Sequence, residues 1–401
     1  MKALVIVYDG MADRPIPTLG NKTPMEVAHK PAMEALAPLS LVGTVSNVPS
    51  HMVPESDTAN LAILSYDPSV YSKGRSPLEA MSMGLTMTET QTAIRCNLVT
   101  LSDEGDYDDK VIIDHSSGEI ETEDAHQLIL ALEEALGTPD RHFYTGISYR
   151  HCILWEGAND HYPFHRPHDI LGQRIKDHLP QGKDGQVFYD LMRASYEVLN
   201  NHPVNVARRK AGKRVANSIW LWSPGKKPAL PSFYDKWGIR GAVISAVDLI
   251  KGIAICAGMT SIDVAGATGN LHTNYRGKAD AAIDAFRDGM DLVYIHIEAP
   301  DECGHQGDIE GKILSIEKID AEILSPVLAY LTSTGEPFRV LTLPDHPTPI
   351  ELRTHSIEPV PFMLYDSAEA HTGVETLNEQ TASRTGLYLP QGTALMDLLL
   401  H

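Results

Sequence analysis

Three stretches of this chain share one grammar, an apolar run that stops abruptly at Asp or His. They are "KALVIVYDG" at 2–10, "DLVYIHIEAPD" at 291–301 and "FRVLTLPDHPTPI" at 338–350. Continuous apolar runs of this kind predict central strands of a sheet covered on both faces. Open α/β sheets place their ligands at the carboxyl ends of such strands. Strands that end in acids or histidines therefore point to one shared site.

Between these runs, apolar residues spaced three and four apart predict helices in "SDTANLAILSY" at 56–66, "ISAVDLIKGIAICAG" at 244–258, "KADAAIDAFRDG" at 278–289 and "GKILSIEKIDAEILSPVLAYL" at 311–331. Strands alternating with helices read as α/β. The middle of the chain differs. "TAIRCNLVTLSDEGDYDDKVIID" resembles a hairpin, "TEDAHQLILALEEAL" an amphipathic helix and "RHFYTGISYRHCILWEG" further strands. The expectation is a core made of 1–86 and 203–401, with a smaller α+β domain inserted at 87–202. The Pro-, Gly- and His-rich piece at 159–185 predicts a loop that could cover a site.

Bulk numbers narrow the function class. At 401 residues the chain exceeds what one core usually supports, so about two domains are expected. The 33 basic and 53 acidic residues give a net charge of −20, which argues against nucleic acid or an anionic membrane as partner. An anionic substrate in a locally basic pocket stays allowed. Apolar runs fall far short of the ~20 residues a membrane helix needs. The N-terminal run has no small-residue cleavage site and is interrupted by Asp9, so a cytoplasmic protein is expected. Cys96, Cys152, Cys256 and Cys303 have no paired spacing, which suggests neither a disulfide framework nor a zinc knuckle. A homo-oligomer is left open.

Divalent cations want carboxylate oxygen and neutral imidazole nitrogen, and a two-ion site needs about six or seven such groups. Asp9, Asp301, His305, Asp345, His346 and His355 stand at strand ends or just after them. Singly, each has a plain alternative, since an Asp after a strand is a common helix cap. Ser56 is the candidate nucleophile. It reads equally as an ordinary N-cap, as does Asp57, although a serine at a helix N-terminus also lies in a field that favours an incoming phosphate. His296 inside its strand reads as a satisfied core histidine, and Cys303 as a small packed side chain.

In order, and across nearly the whole chain, "DGMADRP", "LGNKTPMEVA", "PESDTANLAILSYDP", "GRSPLEA", "HPVNVARRKAGKRVAN", "GATGN", "APDECGH" and "PDHPTPIELRTHSIEPVPF" resemble the archaeal-type cofactor-independent phosphoglycerate mutases of the alkaline phosphatase superfamily. The resemblance implies an alkaline-phosphatase-like central sheet flanked by helices, and two divalent metal ions. One would be held by Asp301, His305 and His355, the other by Asp9, Ser56, Asp345 and His346. Mn²⁺ comes first, ahead of Mg²⁺, Co²⁺ and Zn²⁺, and no bisphosphoglycerate is needed. It further implies that Ser56 accepts the phosphoryl group of 3-phosphoglycerate and returns it as 2-phosphoglycerate.

A small phosphorylated substrate needs cationic and polar contacts, for which Arg75, His115, Arg150, His151, Asn274 and Lys278 are the candidates. "RCNLVTLS", "DHSSGEI" and "SIWLW" look more like a bacterial branch proposed to include homoserine kinases. The alternative is therefore a homoserine kinase-like phosphotransferase, or a phosphatase, using the same metal site. No P-loop or kinase glycine loop is present to support the kinase.

Overall fold

The apolar run Lys2–Tyr8 forms β1 of a computed structural model that describes all 401 residues. Leu4, Val5, Ile6, Val7 and Tyr8 have no exposed surface. Each such aliphatic side chain contributes about 1.5–3 kcal/mol of burial free energy. This is why β1 lies in the middle of its sheet, with β10 (Leu292–Ile297) on one side and β11 (Phe338–Leu343) on the other, both parallel to it. Numbering strands along the chain, the sheet is completed by β2 (Leu41–Val45), β8 (Gly241–Ile244), β9 (Thr260–Ile262), β12 (Val360–Asp366) and β13 (Tyr388–Leu389). Its eight strands run in the order β13-β2-β12-β11-β1-β10-β8-β9. Only the pairings of β12 with β11 and β2 are antiparallel. Helices over Tyr275–Arg287 and Ile309–Ile319 bury Ala279, Ala282, Ile316 and Ile319 in the same core as β1 and β10.

The chain divides into two compact units, Met1–Ser72 with Ala229–His401, and Lys73–Pro228. The second unit is α+β. Its strands are β3 (Gln91–Leu101), β4 (Ile112–Asp114), β5 (Arg141–Tyr144), β6 (Arg150–Glu156) and β7 (Ser218–Lys226), all paired antiparallel. Helices Thr122–Leu136 and Gly182–Leu199 pack Leu128, Leu132, Phe188 and Leu191 onto that sheet.

The expected insert, 87–202, lies inside this unit, but the division falls at Lys73 and Pro228 instead. The cause is long-range pairing. β7 pairs along nearly all of β3, and the helix Ser76–Ser82 is tied to β7 by the Ser76 hydroxyl on the Ser223 carbonyl. Local composition carries no sign of either partner. Within 159–181 only short 3₁₀ turns form, at Pro167–Asp169 and Ile175–Asp177, while 182–185 already belong to the helix Gly182–Leu199.

Candidate active site

Register brings the first candidate ligands together. Val7 of β1 is level with His296 of β10 and with Leu343 of β11. Two residues beyond that level, Asp9 stands with Glu298 and Asp345. Neighbouring strands stand about 4.8 Å apart, so acids that follow them converge. Asp9, Asp345 and His346 offer ligand atoms that all lie within 4.8 Å of one another, and all three residues are buried. The turn after Asp9 requires glycine twice over. Gly10 has φ +64°, and a Cβ there would sit 2.7 Å from the Cα of Asp301. Its amide donates to Asp345 Oδ1 at 3.1 Å, as does the His346 amide at 2.9 Å.

Asp301 and His305, expected at a strand end or just after it, lie on the short helix Ala299–Gln306 that follows β10. A spacing of four puts both on one face of that helix. His305 Nε2 is 3.2 Å from Asp301 Oδ2, and His355 Nε2 is 3.3 Å from Asp301 Oδ1. The two imidazole Nε2 atoms are 3.0 Å apart. Their Nδ1 atoms are committed elsewhere, His305 to the Arg353 carbonyl at 3.0 Å and His355 to the Pro54 carbonyl at 2.6 Å. Carbonyls accept only, so each Nδ1 carries hydrogen and each Nε2 is left turned toward Asp301. That is the arrangement of metal-binding histidines held by outer hydrogen bonds.

The two sets meet at His346. It also groups with Asp301 and His355 within 4.8 Å, and its ring stacks on that of His355 with centroids 4.0 Å apart. Ser56 Oγ is 3.1 Å from His346 Nε2. The serine is the first residue of the helix Ser56–Ile63 rather than its cap, which is Glu55. Its side chain therefore stands at the positive end of that helix.

The protonation pattern fits a cation. Burial, with the charges of Asp345 and Asp301 added, pushes the Asp9 carboxyl well above its usual range. Asp9 Oδ1 is buried without a hydrogen-bond partner. Asp301 is pulled the other way: burial opposes ionisation, but hydrogen bonds from His305 and His355 hold the carboxyl well below the ordinary range. In return the Asp301 hydrogen bond pushes His305 up to about 9. Buried carboxylates that must share protons with one another and with imidazoles are groups a divalent cation would satisfy. Carboxylate oxygen with imidazole nitrogen suits hard to borderline ions.

Reading the residues alone missed several supporting groups. His296 was expected to be a satisfied core histidine. It is fully buried, but its Nε2 lies 3.1 Å from Asp9 Oδ2 and 3.8 Å from Asp345 Oδ2, so it belongs to the site. The signal was a histidine breaking an apolar strand at its penultimate position. Thr348 donates its hydroxyl to Asp301 Oδ1. Lys312 Nζ bonds to Asp13 Oδ2 at 2.7 Å and to the Thr348 carbonyl at 2.8 Å, joining the loops that follow β1 and β11. Cys303 is buried and packed, as expected.

The substrate candidates are less gathered. Asn274 caps the helix Tyr275–Arg287, its side chain accepting from Gly277 and donating to the Ala265 carbonyl. Lys278 is fully buried with Nζ 3.4 Å from the His296 carbonyl, and burial lowers its pKa to about 8. Arg75, His115, Arg150 and His151 are in the second unit. Arg150 is exposed and lies over the Tyr149 ring, and His115 meets the rings of Tyr149 and His168 edge-on. His151 is buried and accepts the Gly146 amide on Nδ1.

Comparison with known proteins gives concordant results. Residues 37–205 match the family model described as 2,3-bisphosphoglycerate-independent phosphoglycerate mutase. A protein of that name from Methanothrix thermoacetophila is 44% identical over 400 residues, with 100% of each chain covered. Among solved structures, a protein from Pyrococcus horikoshii superposes with a TM-score of 0.82 at 27% identity, covering 99% of this chain and 96% of that one. A cofactor-independent phosphoglycerate mutase from Thermoplasma acidophilum gives 0.71 at 26% identity, covering 100% of this chain and 99% of that one.

Proposed function

The chain belongs to the 2,3-bisphosphoglycerate-independent phosphoglycerate mutases, and from that membership and the site geometry we propose how its residues carry the reaction. The enzyme is an isomerase that interconverts 3-phosphoglycerate and 2-phosphoglycerate without bisphosphoglycerate. Ser56 is the proposed phosphoryl acceptor. The observation that carries this assignment is Ser56 Oγ at 3.1 Å from His346 Nε2, where the two ligand sets meet.

Asp301, His305 and His355 would hold one divalent cation, and Asp9, Ser56, Asp345 and His346 the other. Mn²⁺ is the proposed ion. When bound, such cations withdraw charge from the phosphoryl oxygens and favour the deprotonated serine. The bond from phosphorus to the 3-oxygen of glycerate breaks as the bond to Ser56 Oγ forms, and the serine proton ends on that 3-oxygen. After the glycerate turns, its 2-oxygen takes the phosphoryl group and its proton returns to Ser56. No water and no second phosphate donor enters this balance. The positive end of the helix Ser56–Ile63 favours the phosphoryl group in both half-reactions.

For the second unit we propose the role expected of the insert, binding the glycerate and excluding water. Arg75, His115 and Arg150, which keep partly or fully exposed side chains, are proposed contacts, with His151, Asn274 and Lys278 as the remaining ones. No helix is long and apolar enough to cross a membrane. A cytoplasmic location is proposed.

The test is metal-loaded enzyme given 3-phosphoglycerate with enolase coupling and no bisphosphoglycerate, beside a Ser56→Ala control. Conversion that disappears in the control supports the assignment. Conversion that persists in Ser56→Ala overturns the role of the serine. A parallel reaction with homoserine and ATP should give no phosphohomoserine.

A further inference from the structure

The buried carboxamide of Asn60 has every hydrogen-bonding group committed, and two of its three bonds go to residues of the candidate site. One turn along the helix from Ser56, its Nδ2 donates to the Ser56 carbonyl at 2.8 Å and to Asp345 Oδ2 at 2.9 Å. Its Oδ1 accepts the hydroxyl of Tyr294, a fully buried residue of β10. The orientation of the amide is determined by its neighbours. A carbonyl and a carboxylate can only accept, so the nitrogen must face them and the oxygen must face the tyrosine. A flipped amide would point its oxygen at two acceptors.

We infer that Asn60 is a positioning residue that ties the backbone of Ser56 to the carboxylate of Asp345, so that one amide sets both the nucleophile and the cation ligand. The inference rests on the reading of Ser56 and Asp345 given above. Three separate elements are joined by it: the helix of Ser56, the loop after β11 and the strand β10. Asp345 Oδ1 is already held by the amides of Gly10 and His346. Asn60 supplies the bond that fixes the other oxygen, and thereby the rotation of the carboxylate. Outer-shell groups of this kind typically change metal affinity or activity by about 10–100-fold when removed. Tyr294 acts one step further out by holding the amide in place.

The experiment compares Asn60→Asp, Tyr294→Phe and Asp345→Asn with the wild-type enzyme. Asn60→Asp has the same shape but donates nothing to Asp345 and sets a second carboxylate against it. Mn²⁺ affinity is measured by calorimetry, kcat and KM by the coupled assay at saturating Mn²⁺, and unfolding of the metal-free protein by circular dichroism. The expected result for Asn60→Asp is Mn²⁺ binding weakened about 10–100-fold, with kcat reduced and KM for 3-phosphoglycerate nearly unchanged. Tyr294→Phe should move both in the same direction by less.

A folded Asn60→Asp protein with wild-type Mn²⁺ affinity and kcat overturns the inference. So does a defect confined to stability of the metal-free protein. If Asn60→Asp does not fold, Tyr294→Phe is judged by the same two criteria. Asp345→Asn separates this inference from the reading beneath it. Retention of both ions in that variant removes Asp345 as a ligand and the inference with it. Loss of an ion there, with none in the Asn60 variant, removes the inference alone.

Discussion

His305 and His355 face each other with Nε2 atoms 3.0 Å apart, while both Nδ1 atoms are anchored to main-chain carbonyls. Fifty residues separate them in sequence, and Asp301 lies within 3.3 Å of both rings. Two Nε2 atoms turned to one carboxylate would, once deprotonated, offer lone pairs that a cation satisfies. Replacing His305 with Ala should release one of the two cations and lower kcat/KM by at least about 10²-fold. Metal analysis of the dialysed protein checks the first statement and the coupled assay the second.

Cation binding at this pair must displace the proton that Asp301 holds on His305, whose pKa is raised to about 9. Affinity for Mn²⁺ should therefore climb with pH and flatten above that value. Calorimetry in two buffers of different ionisation enthalpy measures the proton released. An affinity independent of pH from about 6 to 9 would contradict the assignment.

Ser56→Ala should abolish turnover while leaving most of the metal bound, because Asp9, Asp345 and His346 remain at the site. Mass spectrometry of wild-type enzyme quenched during turnover should find a phosphate on the peptide containing Ser56, absent from the variant.

The pair formed by Lys312 and Asp13 is buried, with Nζ 2.7 Å from Oδ2 and side-chain exposure of 0% and 1%. Removing one partner leaves the other charge without compensation in the interior, which costs about 3–5 kcal/mol. Lys312→Met should destabilise the protein by that amount in urea unfolding. The double variant Lys312→Met with Asp13→Leu should recover part of the loss.

In the second unit, burial pushes His151 down to about 3 from an ordinary 6.5. A depressed histidine keeps its full contribution to stability above 6.5 and loses it as pH falls toward the folded value. The loss is about 1.4 kcal/mol per pH unit in that window. Between pH 7 and pH 5 the wild type should lose about 2 kcal/mol more stability than His151→Leu, as read from urea unfolding at the two pH values.

Much of the fold was legible along the chain. The runs at 2–8, 292–297 and 338–343 became three adjacent central strands, because residues apolar on both faces can be buried only inside a covered sheet. The helices expected around Ser56, Asp248, Lys278 and Ile313 formed as well. The extent of the second unit was not legible. It depends on β7 closing against β3 across more than a hundred residues, and nothing in the local pattern marks that partnership.

The site divides in the same way. Asp9, Asp345 and His346 were readable because acids and histidines after buried strands need a reason to be there. Their convergence follows from strand order alone once β1 stands between β10 and β11. Asn60, Thr348, Lys312 and the true position of His296 were not readable, since each looks like an ordinary polar residue until its neighbours are known. The sequence by itself determined the elements and picked out the candidate ligands and the candidate nucleophile, all of which are expressed in residue type and short-range spacing. Only the tertiary structure decided which atom each side chain faces. Hydrogen-bond direction is set by partners brought in from distant parts of the chain, and that pairing has no local signature.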